Sequence, residues 1–421
     1  MVSIIIVGSG GREAAIEWKL RGSPHVEEIF VSPGNGGSKN NLSYAETDFN
    51  QLADFTESKK GFAIVGPEKP LADGIVDVFL ERGLKIFGPT QKAAQLEASK
   101  VYSKYFMKRH GIPTADFRVF DSYQLADDYI KHKGGNVVIK ADGLAAGKGV
   151  ILCRNVIDAS SALKNLMIYT KFGPAGSKVV IEDRLIGTEV SCFYLSDGSH
   201  IIPLSTAQDH KRIYDGNRGP NTGGMGSYSP SLFLTDRIQE EIHRIAGKTI
   251  NGIANEGSPF KGVLYIGLII SDGKPYVLEY NVRLGDPEAQ VILPRMKSDL
   301  YLYLEACVDG VLEEMDEIEW DDRPAVCVVM SSQGYPGNYE TGKVISGIKD
   351  TDRIRDIHLF HAGTKRDEAQ LTTSAGRVLG VTALDEDLMT TIEKVYAAVR
   401  LIKWDGEYHR SDVGMNAVNY L

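Results

Sequence analysis

The stretch "VVIKADGLAAGKGV", Val137 to Val150, decides how the chain is read. Its "GLAAGKG" carries the glycines and the lysine of a phosphate loop but not the spacing. A Walker A loop needs four residues between its glycine and its Gly-Lys, then Ser or Thr to hold Mg²⁺. Here only Leu144, Ala145 and Ala146 separate Gly143 from Gly147, and Lys148 is followed by Gly149. Lys140 closes an apolar strand, where a charge needs a reason, and the glycines begin three residues later. A strand lysine beneath a Gly-rich cover suits ATP phosphates that are clamped rather than wrapped. The plainer alternative is a hairpin loop with a snorkelling lysine.

A loop that only covers phosphates leaves Mg²⁺ to be held elsewhere. "YVLEYNVRLGDPE" puts Glu279 and Asn281 two apart on a strand, so both face the same way, and Arg283 continues that face. A carboxylate and a carboxamide are hard oxygen ligands suited to Mg²⁺. Inward polar side chains on an apolar strand are costly unless they bind something. The alternative is a solvent-facing polar side. "VVIEDRLIGTEVS" supplies Glu182 after another apolar strand and Glu189 seven residues on. In an ATP site the first segment offers backbone groups to adenine and Glu189 accepts from ribose hydroxyls, although the pattern also fits a surface hairpin. "AQDHKRIYDGNRGPNTGGMGSYSP", Ala207–Pro230, is the densest polar and Gly-rich stretch. Loops this long are usually functional or disordered. Asp209, His210, Lys211 and Arg212 are its candidates for a small zwitterion or the γ-phosphate.

Toward the N-terminus, "SIIIVG", "EEIFVSPGN", "FAIVGPE" and "LKIFGPT" are apolar runs ending in Gly or Pro turns, with helical segments between them. That rhythm predicts a parallel sheet with a ligand crevice at the strand C-termini. "GSGGRE", Gly8 to Glu13, follows the first strand and opens a helix, where glycines admit an anion to the helix N-terminus. It is not the dinucleotide fingerprint, since Glu13 stands where the third glycine belongs. One helix is expected at Glu97–His110, and short strands from about 326 followed by an amphipathic helix suggest a smaller C-terminal unit.

The 421 residues carry a net charge of −9, which argues against nucleic acid as the main partner. The apolar N-terminus breaks at glycines and reads as a strand, and no apolar run approaches the ~20 residues that span a membrane. Cys153, Cys192, Cys307 and Cys327 are scattered with no CxxC pair, which fits reduced thiols and a cytoplasmic location.

Together, a strand Lys, a Gly-rich flap, a hinge Glu and a Glu-x-Asn pair resemble the ATP-grasp fold. "GSGGRE", "PGN", "VGPEKPLADGIVD", "KADGLAAGKGV", "AQDHKR", "GPNTGGMG", "NVRLGDPE" and "FHAGTK" run from end to end in the order of one family, the phosphoribosylamine–glycine ligases (glycinamide ribonucleotide synthetases). The resemblance implies an α/β and α+β multidomain chain. Residues 1–103 would form a Rossmann-like substrate domain, 104–325 an ATP-grasp body with a lid at about 122–190, and 326–421 a cap. It implies ligation of glycine to 5-phosphoribosylamine with ATP and Mg²⁺ or Mn²⁺, through glycyl phosphate, by a monomer or weak homodimer.

Carried over, Lys104 and Lys140 match the ATP lysines, with Gly143, Gly147, Lys148 and Gly149 in the flap. Glu182, Asp183, Arg184 and Leu185 match the adenine hinge, Glu189 the ribose ligand, and Arg212 and Asn221 further nucleotide contacts. Glu279 and Asn281 match the metal pair. Arg283 would take the glycine carboxylate, with Asp209 for its ammonium and Asp286 in the catalytic set. Gly10, Gly11, Arg12, Glu13, Asn35 and Glu68 would hold phosphoribosylamine. The chain departs from the family pattern at Ala14, where His is usual, at Gly36, where Ala is usual, and at Leu284, where Phe is usual. Three rivals are an ATP-grasp carboxylase, a non-catalytic nucleotide sensor, and a dehydrogenase resting on "GSGGRE" alone.

Overall fold

A computed structural model describes every residue except 145–148, 170–172, 369 and 421. The four N-terminal apolar runs form one parallel sheet in the order Val26–Pro33, Val2–Gly8, Phe62–Val65, Ile86–Phe87. Both faces of the first strand are buried. Ile4 and Ile6 join one apolar core and Val7 another, which explains an unbroken apolar run instead of an alternating one.

The body is an antiparallel sheet ordered Ile201–Pro203, Thr188–Asp197, Lys261–Ser271, Lys274–Asn281. A second antiparallel sheet stands apart from it, ordered Phe117–Phe120, Val179–Asp183, Val137–Ala141, Val150–Leu152. Its core takes Ala126 and Ile130 from helix Tyr123–His132 and Ala159 and Leu163 from helix Val156–Leu163. The third antiparallel sheet runs Gln208–Asp209, Gly226–Ser229, Ala325–Ser332, Arg377–Leu384, Ile357–His361. Strands from both sides of position 325 therefore share one sheet, and the long polar loop 207–230 is rooted in it at both ends.

The helix expected at Glu97–His110 is instead two, Gln95–Ala98 and Lys100–Arg109. Ser99 breaks the run by adopting extended backbone, φ −129° and ψ 115°. Its hydroxyl accepts from Tyr102 N–H as an N-cap and donates to Asp142 Oδ1 at 2.8 Å. Asp142 also accepts from Val101 N–H, so the start of the Gly-rich loop is tied to the start of the second helix. A helix-period pattern cannot reveal a cap inside it, because Ser is tolerated in a helix as well as before one.

Gly36 has a packing reason. A Cβ there would lie 2.6 Å from Leu371 Cδ1 and 3.0 Å from Thr364 Oγ1, in the hairpin Thr364–Asp367/Gln370–Thr373. Leu284 lies in the core beneath the N-terminal sheet. All four cysteines are free and buried. Among the described residues, no helix is long and apolar enough to cross a membrane.

An N-cap serine is worth about 1 kcal/mol. Ser99→Ala should therefore raise amide exchange over residues 99–103 about fivefold or more, the Asp142 bond adding to the cap. Hydrogen-exchange mass spectrometry checks this, with helix Asp236–Asn255 expected to be unchanged.

Candidate active site

The site is organised by one irregularity in strand Lys274–Asn281. Glu279 pairs with Gly267 but Val277 pairs with Leu268, so Leu278 is an extra residue and the strand bulges there. The bulge shifts the alternation by one. Val277, Tyr280 and Val282 all enter the same apolar core, although 277 differs in parity from 280 and 282. Glu279, Asn281 and Arg283 take the other face, as the sequence predicts. The bulged carbonyl of Leu278 accepts a 2.8 Å hydrogen bond from Lys140 Nζ.

Lys104 and Lys140 converge on one carboxylate oxygen. Their ammonium groups lie 3.1 Å and 3.0 Å from Glu182 Oε1, and all three residues are buried. Neither ammonium is aligned for a hydrogen bond to that oxygen, so the contact is ionic. Lys104 instead donates to Thr114 Oγ1 at 2.5 Å. Burial and the adjacent Lys140 pull the Lys104 ammonium down to about 8, against the pull of Glu182.

Beside this cluster, Lys100 Nζ lies 3.0 Å from Glu279 Oε2. Lys100, with lesser help from Lys211 and Lys140, holds the Glu279 carboxyl well below the usual range despite its burial. Arg283 is held on three sides. It donates to Glu97 at 2.7 Å, to Asn281 Oδ1 at 3.1 Å and to Glu68 at 3.2 Å. Burial opposes the charge on Glu68, but Arg283 and Arg12 bring it to about 2. Glu97 also accepts from Val282 N–H, yet burial pushes its carboxyl up.

At the N-terminal turn, Glu13 accepts from Gly10 N–H and from Arg12 Nε, both at 2.6 Å. A Cβ on Gly66 would fall 1.9 Å from Glu13 Oε1, so that glycine makes room for the carboxylate. Arg12 reaches the Leu284 carbonyl at 3.1 Å, and its N–H points at Asp286 Oδ2 at 3.4 Å. A Cβ on Gly11 would sit 3.5 Å from Asp286 Oδ1, so the carboxylate lies against the turn. The Asn35 amide is spent on bracing, donating at 2.9 Å to the carbonyls of both Ser9 and His361.

In the polar loop the side chains diverge. Asp209 is half-buried, and burial raises its carboxyl to about 7. Lys211 opposes that rise, while Glu288, Glu189 and Glu279 add to it. Lys211 reaches the exposed Glu189 at 3.4 Å. His210 points the other way, into the C-terminal sheet. Its Nε2 lies 3.4 Å from Gly414 N, and burial beside Arg410 lowers the ring to about 4. Arg212 donates to the Gly219 carbonyl across hairpin Arg212–Tyr214/Arg218–Asn221. Asn221 reaches the Val150 carbonyl at 3.4 Å, at the start of strand Val150–Leu152 after the Gly-rich loop. Asp183 turns outward to Lys133, and Arg184 and Leu185 are half-buried behind it. Gly143 has φ +116°, and Gly149 accepts from Ala141 N–H. Gly147 and Lys148 lie outside the described residues.

Three partners were not found in the sequence. Lys100 is one helical turn before Lys104 on the same face, so spacing alone could have found it. Glu97 needed the break at Ser99. Arg377 donates to the carbonyls of Gly223 at 3.0 Å and Asp286 at 2.7 Å, and nothing in its "GRVLGV" context announces that contact.

Among the described residues no cluster of three or more His, Cys, Asp or Glu side chains could hold a metal by itself. Glu279 and Asn281 offer one anionic and one neutral hard oxygen on one face. They fit a hard divalent ion whose remaining ligands come from phosphates or water.

Family profiles described as phosphoribosylglycinamide synthetase N domain, ATP-grasp (A) domain and C domain match residues 2–97, 98–289 and 325–416. The chain belongs to the phosphoribosylglycinamide synthetase family. It is 46% identical to the phosphoribosylamine–glycine ligase of Escherichia coli O6:H1, covering 99% of both chains. It is 47% identical to the enzyme of that name from Allochromatium vinosum, again over 99% of both. The crystal structure of the Thermotoga maritima phosphoribosylamine–glycine ligase superposes with a TM-score of 0.81 at 34% identity, covering 98% of this chain and 100% of that one. A biotin carboxylase domain from Hydrogenobacter thermophilus shares the fold at 15% identity and a TM-score of 0.73, covering 97% of this chain and 91% of that one. The ATP-grasp fold, with its parallel N-terminal sheet, is as the sequence predicts.

Removing Glu182 leaves two buried ammonium groups facing each other, and breaking a buried pair costs about 3–5 kcal/mol. Glu182→Gln should therefore lower the melting temperature, and ATP should raise it more in the variant than in the native chain. Differential scanning fluorimetry with and without ATP measures both.

Proposed function

We propose that the chain joins glycine to 5-phosphoribosylamine at the expense of ATP, giving glycinamide ribonucleotide, ADP and phosphate. The observation that carries this is one continuous polar face. It runs from Lys140 and Glu182, through Glu279, Asn281 and Arg283, to Glu68 and the Gly10–Glu13 turn. Two substrates and a nucleotide can share that line without a side-chain nucleophile, which suits an acyl phosphate route.

In this reading Lys104 and Lys140 take the nucleotide phosphates, Glu182 to Leu185 offer the hinge to adenine, and Glu189, Arg212 and Asn221 complete the nucleotide site. Glu279 and Asn281 would hold Mg²⁺ or Mn²⁺, which when bound neutralises the charge developing between the phosphates. Arg283 would orient the glycine carboxylate for attack on the γ-phosphate, and Asp209 its ammonium. Gly10, Gly11, Arg12, Glu13, Asn35, Glu68 and Asp286 would form the sugar-phosphate end. The amine of phosphoribosylamine then displaces phosphate from glycyl phosphate. That intermediate must be kept from water, the role the sequence reading gives to the Gly143–Gly149 loop, whose residues 145–148 lie outside the described residues. Domain limits at 103/104 and 325/326 and a cytoplasmic monomer or weak homodimer belong to the same proposal.

ADP release should require both glycine and phosphoribosylamine generated in situ, and bicarbonate should not replace either. Glu279→Gln should lower turnover at least a hundredfold, with the circular-dichroism spectrum kept. Release that depends on bicarbonate instead would favour a carboxylase.

If Asp209 holds the glycine ammonium, its raised carboxyl gives a pH signature. Below about 7 it is protonated and cannot pair with the ammonium; above, it is ionised. The KM for glycine should thus fall with rising pH by up to roughly tenfold per unit below that value, then level off. Initial rates across pH 5.5–8.5 (about that range) test this, and Asp209→Asn should flatten the profile.

A further inference from the structure

Lys100 is in an unfavourable place for a cation. It is the first residue of helix Lys100–Arg109, at the positive end of the helix dipole, and no acidic residue occupies that helix's first turn. Its ammonium is largely buried, with the side chain 17% exposed. Burial disfavours a lone charge, and the Glu279 carboxylate lies within ion-pair distance of it. A surface lysine would need none of this.

The partner is what matters. Lys100 Nζ sits 3.0 Å from Glu279 Oε2, and Arg283 donates at 3.1 Å to Asn281 Oδ1. Each residue of the Glu-x-Asn pair therefore already carries a cationic donor on a side-chain oxygen. A divalent ion reaching Glu279 must displace an ammonium or stand a few ångströms from it, where like charges repel strongly in a partly buried crevice. A nucleotide changes that balance, because its phosphates give the displaced ammonium a new anionic partner.

We infer that Lys100 is a placeholder cation: it neutralises Glu279 while the crevice is empty, excludes a bare divalent ion, and passes to the nucleotide phosphates when metal and nucleotide arrive together. This rests on the assignment of Glu279 to the metal. It makes Lys100 a positioning residue for the metal ligand and gives the site an order of loading.

The test is Mn²⁺ binding to the full chain, followed by electron paramagnetic resonance, with and without a non-hydrolysable imido analogue of ATP. The native chain should bind free Mn²⁺ at least a hundredfold more weakly without the analogue than with it. Lys100→Met should bind free Mn²⁺ at least tenfold more tightly than the native chain, and Lys100→Arg should behave like the native chain. Lys100→Met binding free Mn²⁺ no more tightly than native would overturn the inference. So would a native chain that binds Mn²⁺ equally well without nucleotide, whatever the variants do. Glu279→Gln with the analogue present separates the two assignments. Native-like Mn²⁺ affinity there would show that Glu279 is not the metal ligand, and the inference would fall with it.

Discussion

The extra residue at Leu278 fixes which way one strand faces. Without it, Val277 would share a face with Glu279, Asn281 and Arg283, and either the apolar side chain or the polar ones would be on the wrong side. With it, Val277, Tyr280 and Val282 fill the core beneath the sheet while the polar three line the crevice. The freed Leu278 carbonyl then receives Lys140 from the strand that leads into the Gly-rich loop. A single irregularity thus sets which face carries Glu279 and Asn281 and ties the sheet containing Val137–Ala141 to the body. It lies opposite Gly267, whose Cβ would be 3.4 Å from Glu279 Cγ, so the partner strand crowds the carboxylate very little.

Around that face the charges are balanced in advance. Lys104 and Lys140 are set against Glu182, Lys100 against Glu279, Lys211 against Glu189, and Arg283 against Glu68 and Glu97. Buried ions cost several kcal/mol each unless paired. A partly buried face rich in cations therefore needs carboxylates held close to them. The arrangement explains why the polar side chains on this strand tolerate burial, and why their partners come from several distant segments.

The sequence revealed what is local. The parallel N-terminal sheet was legible because strands buried on both faces leave unbroken apolar runs. Lys140, Glu279, Asn281 and Arg283 stood out as charges and amides on strands that otherwise read as core. What stayed hidden depends on other segments. Ser99 reads as helix interior until Asp142 is seen to take its hydroxyl. Glu97 reads as a surface acid until Arg283 and the Val282 amide meet it. His210 looked equivalent to Asp209 in "QDHK", but strand alternation sends its ring toward Gly414 and Arg410. The bulge at Leu278 has no Gly or Pro to mark it.

The Asn35 amide joins the carbonyl of Ser9 to that of His361, which lies 326 positions after Asn35 in the chain. During synthesis at about 5–20 residues per second, Asn35 is made roughly 16–65 s before that partner exists. The first-made segment is therefore finished by nearly the last. A nascent chain can assemble its parallel sheet and the Ser9–Asn35 bond early and still lack the second bond of that amide, the one to His361. Any fragment ending before position 361 keeps the glycine turn in its sequence without this link to the C-terminal sheet, so translation itself delays completion of that contact.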